Sequence, residues 1–277
     1  MSIKNNKTRI LFIHHADGWG GASKSLIELI KSLDKNKYSP QVLLLKNSVI
    51  STKLSENHIP FKVAKSSFYK KYYQFLTHSE VKYIRWYNVF YFCKILIKWM
   101  LSRYYFAYRE LRNLSYDIVH LNSSVLTDWL APSKKFGNTV IHIREPFRKG
   151  RVDILNFIIR NQMKKYADKI IAISKDNAQR VNIKEKTVVI YNYAEVPKNN
   201  LDKNSYLSKK FLYLGGALKY KGYLTLVEAL DFLDDGIKIY FGGKYGKQVS
   251  NNIIKKIVKF IISHNHERAN AIRKMRN

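Results

Sequence analysis

Short apolar, β-rich runs alternate along this chain with longer segments of helical period, and that alternation constrains the fold more than any other feature. The strand candidates are Ile10 to His14, Gln41 to Leu45, Asp117 to Leu121, Thr139 to Ile143, Lys169 to Ile173 and Thr187 to Tyr191. Most are apolar throughout, the pattern of strands whose two faces are both covered by helices. Helical patterns lie between them at Ala22 to Leu33, Val125 to Phe136, Ile154 to Tyr166 and Lys175 to Val181. Strand-helix-strand repetition implies right-handed crossovers and a doubly wound parallel sheet. After the polar linker YNYAEVPKNNLDKNS the alternation restarts, with strand patterns at Lys210 to Leu214 and Ile237 to Phe241 around a helical pattern at Gly222 to Leu233. The expectation is α/β: one complete domain over residues 1–195 and the opening of another over 196–277.

In open parallel sheets, ligands bind beyond the carboxyl ends of the strands, and a Gly-rich turn into a helix offers free backbone N–H groups to an anion. Gly18, Gly20 and Gly21 occupy such a place after the first strand. Their spacing is neither the dinucleotide fingerprint nor a P-loop. Two readings stand: an anion-binding turn, or glycines that only make the connection tight.

The formal net charge of +30 points to an anionic partner, whether nucleic acid, a lipid headgroup surface or a phosphorylated substrate. A coding bias rich in Lys, Asn, Ile and Tyr is the competing source of that charge. The single cysteine, Cys93, excludes a disulfide framework within the chain and fits a reducing compartment. Met1 to Arg9 is polar and the apolar run after it is too short for a signal peptide, so the protein is expected inside the cell.

The ordered series IHHADGWGGASKSLIELI, YDIVHLNSS, VIHIREPF, ADKIIAISKDNAQRV, VVIYNYAEVP and FLYLGGALKYKGYLTLVEAL resembles a family 4 glycosyltransferase over nearly the whole chain. The resemblance implies a GT-B fold: a complete N-terminal Rossmann-like domain on the acceptor side, and a second Rossmann-like domain that binds the nucleotide sugar, here in its first part only. It also implies metal-independent transfer with retention of anomeric configuration, with no cofactor beyond the nucleotide-diphosphate sugar as donor. Carried onto this sequence, Gly20 and Gly21 match the Gly-Gly-Ala turn near the donor phosphates or the acceptor. Lys221, in KYKG, matches the lysine that neutralises the diphosphate leaving group, a fixed cation at developing negative charge. Gly215 and Gly216 match the turn after the first strand of the second domain. Gly243, in FGGKYGK, matches the turn after the next; for these a plain loop is the alternative.

The departures carry as much information. Gly216 stands where many relatives have an arginine that pairs with the lysine. Arg144 and Glu145 stand where many have His-Asp. Arg144 either holds a phosphate or acid sugar, with Glu145 orienting it or accepting an acceptor proton, or the two form a loop salt bridge. His14, His15, Asp17 and His120 are read as hydrogen-bonding to sugar hydroxyls, ahead of a metal site. The paired glutamates of the family have no counterpart, since no two glutamates here stand eight positions apart, and the chain resembles a glycosyltransferase truncated within its second domain.

Residues 68–112 hold sixteen aromatics and nine Lys or Arg against two Glu. Their apolar runs, interrupted by Lys94 and Lys98, are too short to span a bilayer. Three readings apply: an interfacial helix on an anionic membrane near the acceptor site, amphipathic packing on the sheet, or nucleic-acid binding, for which no recognised module is present. The leading function is transfer of a sugar from a nucleotide sugar to a saccharide or lipid-linked acceptor in bacterial surface polysaccharide biosynthesis, with no nucleic-acid partner. The protein is then cytoplasmic, at the inner face of the membrane where it meets a lipid. The alternative is a non-catalytic fragment that keeps acceptor or membrane-surface binding.

Overall fold

The computed structural model describes residues 7–72, 88–148, 154–193, 209–215, 221–233 and 236–242. The chain divides into two compact units, Met1–Glu195 and Val196–Asn277.

The first unit is built on strands β1 (Thr8–His14), β2 (Tyr38–Leu44), β3 (Phe61–Val63), β4 (Ile118–Leu121), β5 (Asn138–Ile143), β6 (Lys169–Ala172) and β7 (Thr187–Val189). They form one sheet in the order β3-β2-β1-β4-β5-β6-β7, and every pairing is parallel. In register, Phe12 of β1 lies between Val42 of β2 and His120 of β4, and Ile13 lies between Leu43 and Leu121. Helices α1 (Gly21–Ser32) and α2 (Val49–Glu56) connect β1, β2 and β3. Their Leu26, Ile27, Ile30, Ile50 and Leu54 pack on Ile10, Phe12, Val42 and Leu44 to make one core. The other core lies on the opposite face, where Leu11, Ile13, Val119, Leu121, Ile141 and Ile143 meet residues of α3 (Val89–Leu101), α4 (Ala107–Leu111), α5 (Leu130–Lys134) and α6 (Ile154–Tyr166). Val181, which ends α7 (Lys175–Val181), completes it. With both faces covered, β1 is buried along nearly its whole length, and each such Leu or Ile contributes roughly 1.5–3 kcal/mol.

Two elements were not legible in the sequence. β3 has three residues and lies at the sheet edge, and α2 buries only Ile50, Ser51 and Leu54, its start fixed by a capping box between Ser48 and Ser51. The single helix expected at Val125 to Phe136 is instead a 3-10 segment, Ser124–Trp129, followed by α5. Leu126 leaves helical geometry there (φ −90°, ψ 27°). Pro132 lacks an N–H and would clash with the carbonyl four residues earlier in a continuous α-helix, so it sits in the first turn of a new one.

In the second unit, β8 (Lys210–Tyr213) and β9 (Lys238–Phe241) pair in parallel, connected through α8 (Tyr223–Ala229). Gly222 caps α8 with φ 77°, a conformation that favours glycine, and Tyr223 and Val227 bury against Tyr213 and Phe241.

Candidate functional site

The first unit reverses its strand order between β1 and β4: β2 and β3 lie to one side, β4 to β7 to the other. The crevice beyond the carboxyl ends of the strands at such a point is where open α/β sheets bind ligands. β1 ends in His14, β4 runs into Asn122, Ser123 and Ser124, and β5 runs into Arg144 and Glu145. Asn192 follows β7.

Asn122 is the centre of the cluster. Its Oδ1 accepts from Arg144 Nε at 3.0 Å and Arg144 Nη2 at 2.9 Å. Because a guanidinium only donates, this orientation turns the Asn122 Nδ2 toward His14, whose Nδ1 accepts from it at 3.0 Å. Ser23 Oγ donates to the Gly18 carbonyl at 2.9 Å, so the His14 Nε2–H donates to Ser23 Oγ, 3.1 Å away. His14 is thereby held as the neutral Nε2–H tautomer, tied to the glycine turn on one side and to Arg144 on the other. Arg144 completes its own set by donating to Ser25 Oγ at 2.8 Å, Asn192 Oδ1 at 3.2 Å and His142 Nδ1 at 3.3 Å. Burial lowers its pKa to about 10, with Glu145 opposing the shift, so it stays cationic at neutral pH. The carboxylate of Glu145 accepts from Ser123 Oγ at 2.7 Å, Ser124 Oγ at 2.9 Å and the Ser124 N–H at 3.3 Å. Arg144 and Glu145 thus bond to different partners, the guanidinium donating to Asn122 and the carboxylate accepting from the serines after β4.

The histidine reading needs correction at one residue. His14 is fully buried and both its ring nitrogens are bonded within the protein, so it has no nitrogen left for a sugar hydroxyl. Among the described residues no group of three or more His, Cys, Asp or Glu could hold a metal ion. His120 packs against Phe12 and His142, with ring centroids 4.8 and 5.6 Å apart. Asp17 pairs instead with Lys46 at 3.4 Å.

Three histidines, His14, His120 and His142, make the site acid-sensitive. Desolvation, then the charge of His15 and Arg144, lowers His14 to about 3; desolvation and Arg144 lower His120 to about 3; desolvation, Arg144 and His120 lower His142 to about 2. In the unfolded chain each titrates near 6.5. Between these values the unfolded chain holds more protons, so the stabilisation is complete above pH 6.5 and is lost as pH falls toward 3. The expected loss at pH 5 is roughly 2 kcal/mol per buried histidine, enough in sum to unfold a domain of ordinary stability. Urea midpoints at pH 7 and pH 5 check this; equal midpoints would mean that the histidines take up protons in the folded chain.

The glycines divide into three groups. A Cβ on Gly18, Gly20 or Gly21 would meet nothing within 4 Å, and Gly20 has an ordinary φ of −108°, so the fold itself does not require glycine at these places. Gly20 caps α1 without any side-chain hydrogen bond to the first turn. A Cβ on Gly215, by contrast, would sit 2.1 Å from the Tyr213 hydroxyl, which donates to the Lys221 carbonyl at 3.1 Å. Gly215 therefore makes room for the ring that ties the end of β8 to the start of α8. Gly216 and Gly243 lie outside the described residues. Lys221 stands immediately before Gly222, at the entrance to α8.

A seven-stranded parallel sheet with a polar cluster at its switch point, followed by a second βαβ unit, defines the class of Rossmann-like α/β proteins that bind ligands at their strand ends. The model of Glycosyltransferase Family 4 matches residues 19–195, and the chain belongs to that family. The structure is similar to Anabaena Alr3699/HepE in complex with UDP, at 18% identity and TM-score 0.57 over 92% of this chain and 66% of that one. The same protein in complex with UDP-glucose matches at 17% identity and TM-score 0.55, over 92% and 65%. The lipopolysaccharide outer core galactosyltransferase WaaB in its apo form matches at 16% and TM-score 0.54, over 94% and 66%. The chain thus spans 66% of the length of the UDP-bound HepE chain. No curated protein matches the chain. At these identities the likeness establishes the fold, and that fold is the GT-B type expected from the sequence.

Asn122, Asn192, Ser23 and Ser25 were missed as site residues. An asparagine after a strand reads as turn chemistry, and Asn192 sits at the edge of a polar linker. Only the strand order β1-β4-β5 brings them to His14 and Arg144.

Proposed function

We propose that the protein works as a glycosyltransferase that moves a sugar from a nucleotide-diphosphate sugar to a saccharide or lipid-linked acceptor, with retention of configuration and without a metal. The observation that carries this reading is the polar cluster at the switch point of the parallel sheet, in a chain belonging to Glycosyltransferase Family 4. Support for a nucleotide-sugar donor comes from HepE, whose structures contain UDP and UDP-glucose, and WaaB is named a galactosyltransferase. A role in bacterial surface polysaccharide synthesis fits an acceptor built on a lipid, met at the inner face of the membrane.

The roles proposed for individual residues follow from their chemistry. Lys221 supplies the cation for the diphosphate as the glycosidic bond breaks. Glu145 uses one oxygen for Ser123 and the other for Ser124, which leaves a lone pair on Oε1 to accept an acceptor hydroxyl. Arg144 sets the positive potential behind it. The first turn of α1, from Gly21 onward, offers backbone N–H groups to an anionic group with no Cβ at Gly20 or Gly21 in the way, while the Gly20 N–H itself donates to the Gly18 carbonyl at 2.9 Å.

The test is calorimetric titration of the 277-residue chain with UDP and with GDP, followed by a sugar-transfer assay. Binding of one nucleotide at micromolar concentration is expected and would name the donor class. Gly21→Ala should leave the melting temperature unchanged or slightly raised, since alanine favours a helix by up to about 1 kcal/mol, while weakening the anionic ligand that approaches the turn. A folded chain that binds neither nucleotide would overturn donor binding and leave the acceptor-binding reading.

A further inference from the structure

The segment Val89–Leu111 is helical throughout, running from α3 through a π-helical stretch, Ser102–Phe106, into α4. One side of it is core. Ile95, Trp99, Ala107 and Leu111 are buried, with Phe92, Leu96 and Phe106 packed against the same cluster. The opposite side is apolar as well, which packing on the sheet does not explain. Phe90 is 93% exposed, Ile97 55%, Leu101 47% and Tyr104 73%, and the spacing 90, 97, 101, 104 places them on one stripe about half a turn from the buried one. Contiguous exposed apolar side chains of this kind mark a docking surface.

The charges around the stripe identify its occupant. Lys94 stands within it and Lys98 beside it, close enough that Lys94, after desolvation, lowers the pKa of Lys98. Where the helix reaches α4, a cavity of about 770 Å³ opens between its end and the edge strand β3. Lys62, Lys65, Arg109 and Arg112 line it, against a single acid, Glu110. That acid already accepts from the backbone N–H groups of Lys65 at 3.1 Å and Ser66 at 2.7 Å. A second copy of a chain with net charge +30 would bring like charges together at this rim. Phe90 and Tyr104 could stack on bases, but the aliphatic Ile97 and Leu101 between them offer no stacking surface, and the continuous apolar stripe suits an acyl boundary better than a line of bases. Among the described residues no helix is long and apolar enough to cross a membrane.

We propose that this stripe and its basic rim form a docking face for an anionic lipid surface, with the helix lying in the plane of the interface, Phe90, Ile97, Leu101 and Tyr104 in the acyl boundary and the cations at the headgroups. Apolar burial and attraction to anionic lipid act together in such helices. This inference is independent of the donor reading, because neither the stripe nor the cavity contains a residue assigned to the donor or acceptor.

Flotation of the full chain with vesicles of phosphatidylcholine alone, and of phosphatidylcholine with three parts in ten phosphatidylglycerol, tests it. Binding to the anionic vesicles is expected, with weak binding to the neutral ones and a steep loss at high salt. Ile97→Ser/Leu101→Ser/Tyr104→Ser should reduce binding to anionic vesicles roughly tenfold or more. Lys94→Gln/Arg112→Gln should reduce it about 25-fold, at about fivefold per cation, and leave the neutral vesicles unaffected. All five positions are exposed, and circular dichroism with UDP titration of each variant separates lost docking from lost fold or lost donor binding. Equal binding to both vesicle types, or a serine variant that floats like the parent, overturns the proposal. So does a dimer in sedimentation velocity that the serine variant dissolves, which would make the face a contact between copies.

Discussion

Asn122→Leu should destabilise the first unit by about 3 kcal/mol, the upper range for removing a hydrogen bond to a charged group. Asn122 is fully buried and serves two side chains that cannot serve each other: its Oδ1 takes two N–H groups of the Arg144 guanidinium and its Nδ2 supplies the acceptor nitrogen of His14, donating also to the Ala22 carbonyl at 3.3 Å. Leucine has the same branching and number of side-chain heavy atoms, so the change opens no cavity and the polar loss is the main effect. Both groups left behind are half-buried or buried, and the guanidinium keeps only the partners at Ser25, Asn192 and His142. Urea denaturation reads the effect directly. A double cycle with Arg144→Met should show strong coupling, because removing the cation first makes the loss of Asn122 much smaller. Additive single and double effects would mean that the two side chains act separately.

Lys221→Ala should weaken binding of a nucleoside diphosphate by roughly 10- to 100-fold, equivalent to one charge-assisted hydrogen bond, with little effect on folding. The backbone here contributes to the fold independently of the side chain, since the Lys221 carbonyl accepts from the Tyr213 hydroxyl, a bond that alanine keeps. Stability and binding are therefore separable at this residue. Titration of parent and variant with UDP and GDP at two salt concentrations checks the prediction. A variant that binds as the parent does would remove Lys221 from the donor site, and a variant that binds weakly but melts early would assign the lysine to structure.

The strands of the first unit were readable because runs such as ILFIH, apolar on both faces and alternating with helical patterns, are the pattern of a parallel sheet covered by helices on both sides. β3 was not, since its residues FKV are too few for a period and Lys62 interrupts them; the pairing of Val42 to Phe61 that makes it a strand is a tertiary fact. α2 has only two buried apolar residues, Ile50 and Leu54, and its strongest signal is the Ser48 cap, easily read as a turn. In the site, Arg144 and Glu145 were visible as charged residues ending an apolar run. Their functional partners were not, because 22 residues separate Arg144 from Asn122, and the link passes through adjacent strands. His14 was visible but misassigned: the sequence displays a histidine at a strand end just before a glycine turn, and only the structure displays the Asn122 and Ser23 atoms that occupy both its nitrogens.

The strand order has a consequence for how the chain is made. β1 begins at Thr8, but its neighbour on the site side, β4, begins at Ile118. At roughly 5–20 residues per second, the ribosome takes on the order of ten seconds to deliver that partner. During this interval the segment ILFIH can pair with β2 on one edge only, and the other edge is an open template for any extended strand nearby. Closing the loop between the two central strands costs entropy before any contact repays it, so β1–β4 docking is expected to be the slow step of folding. The nascent chain is then most exposed to aggregation at the strand that later carries His14.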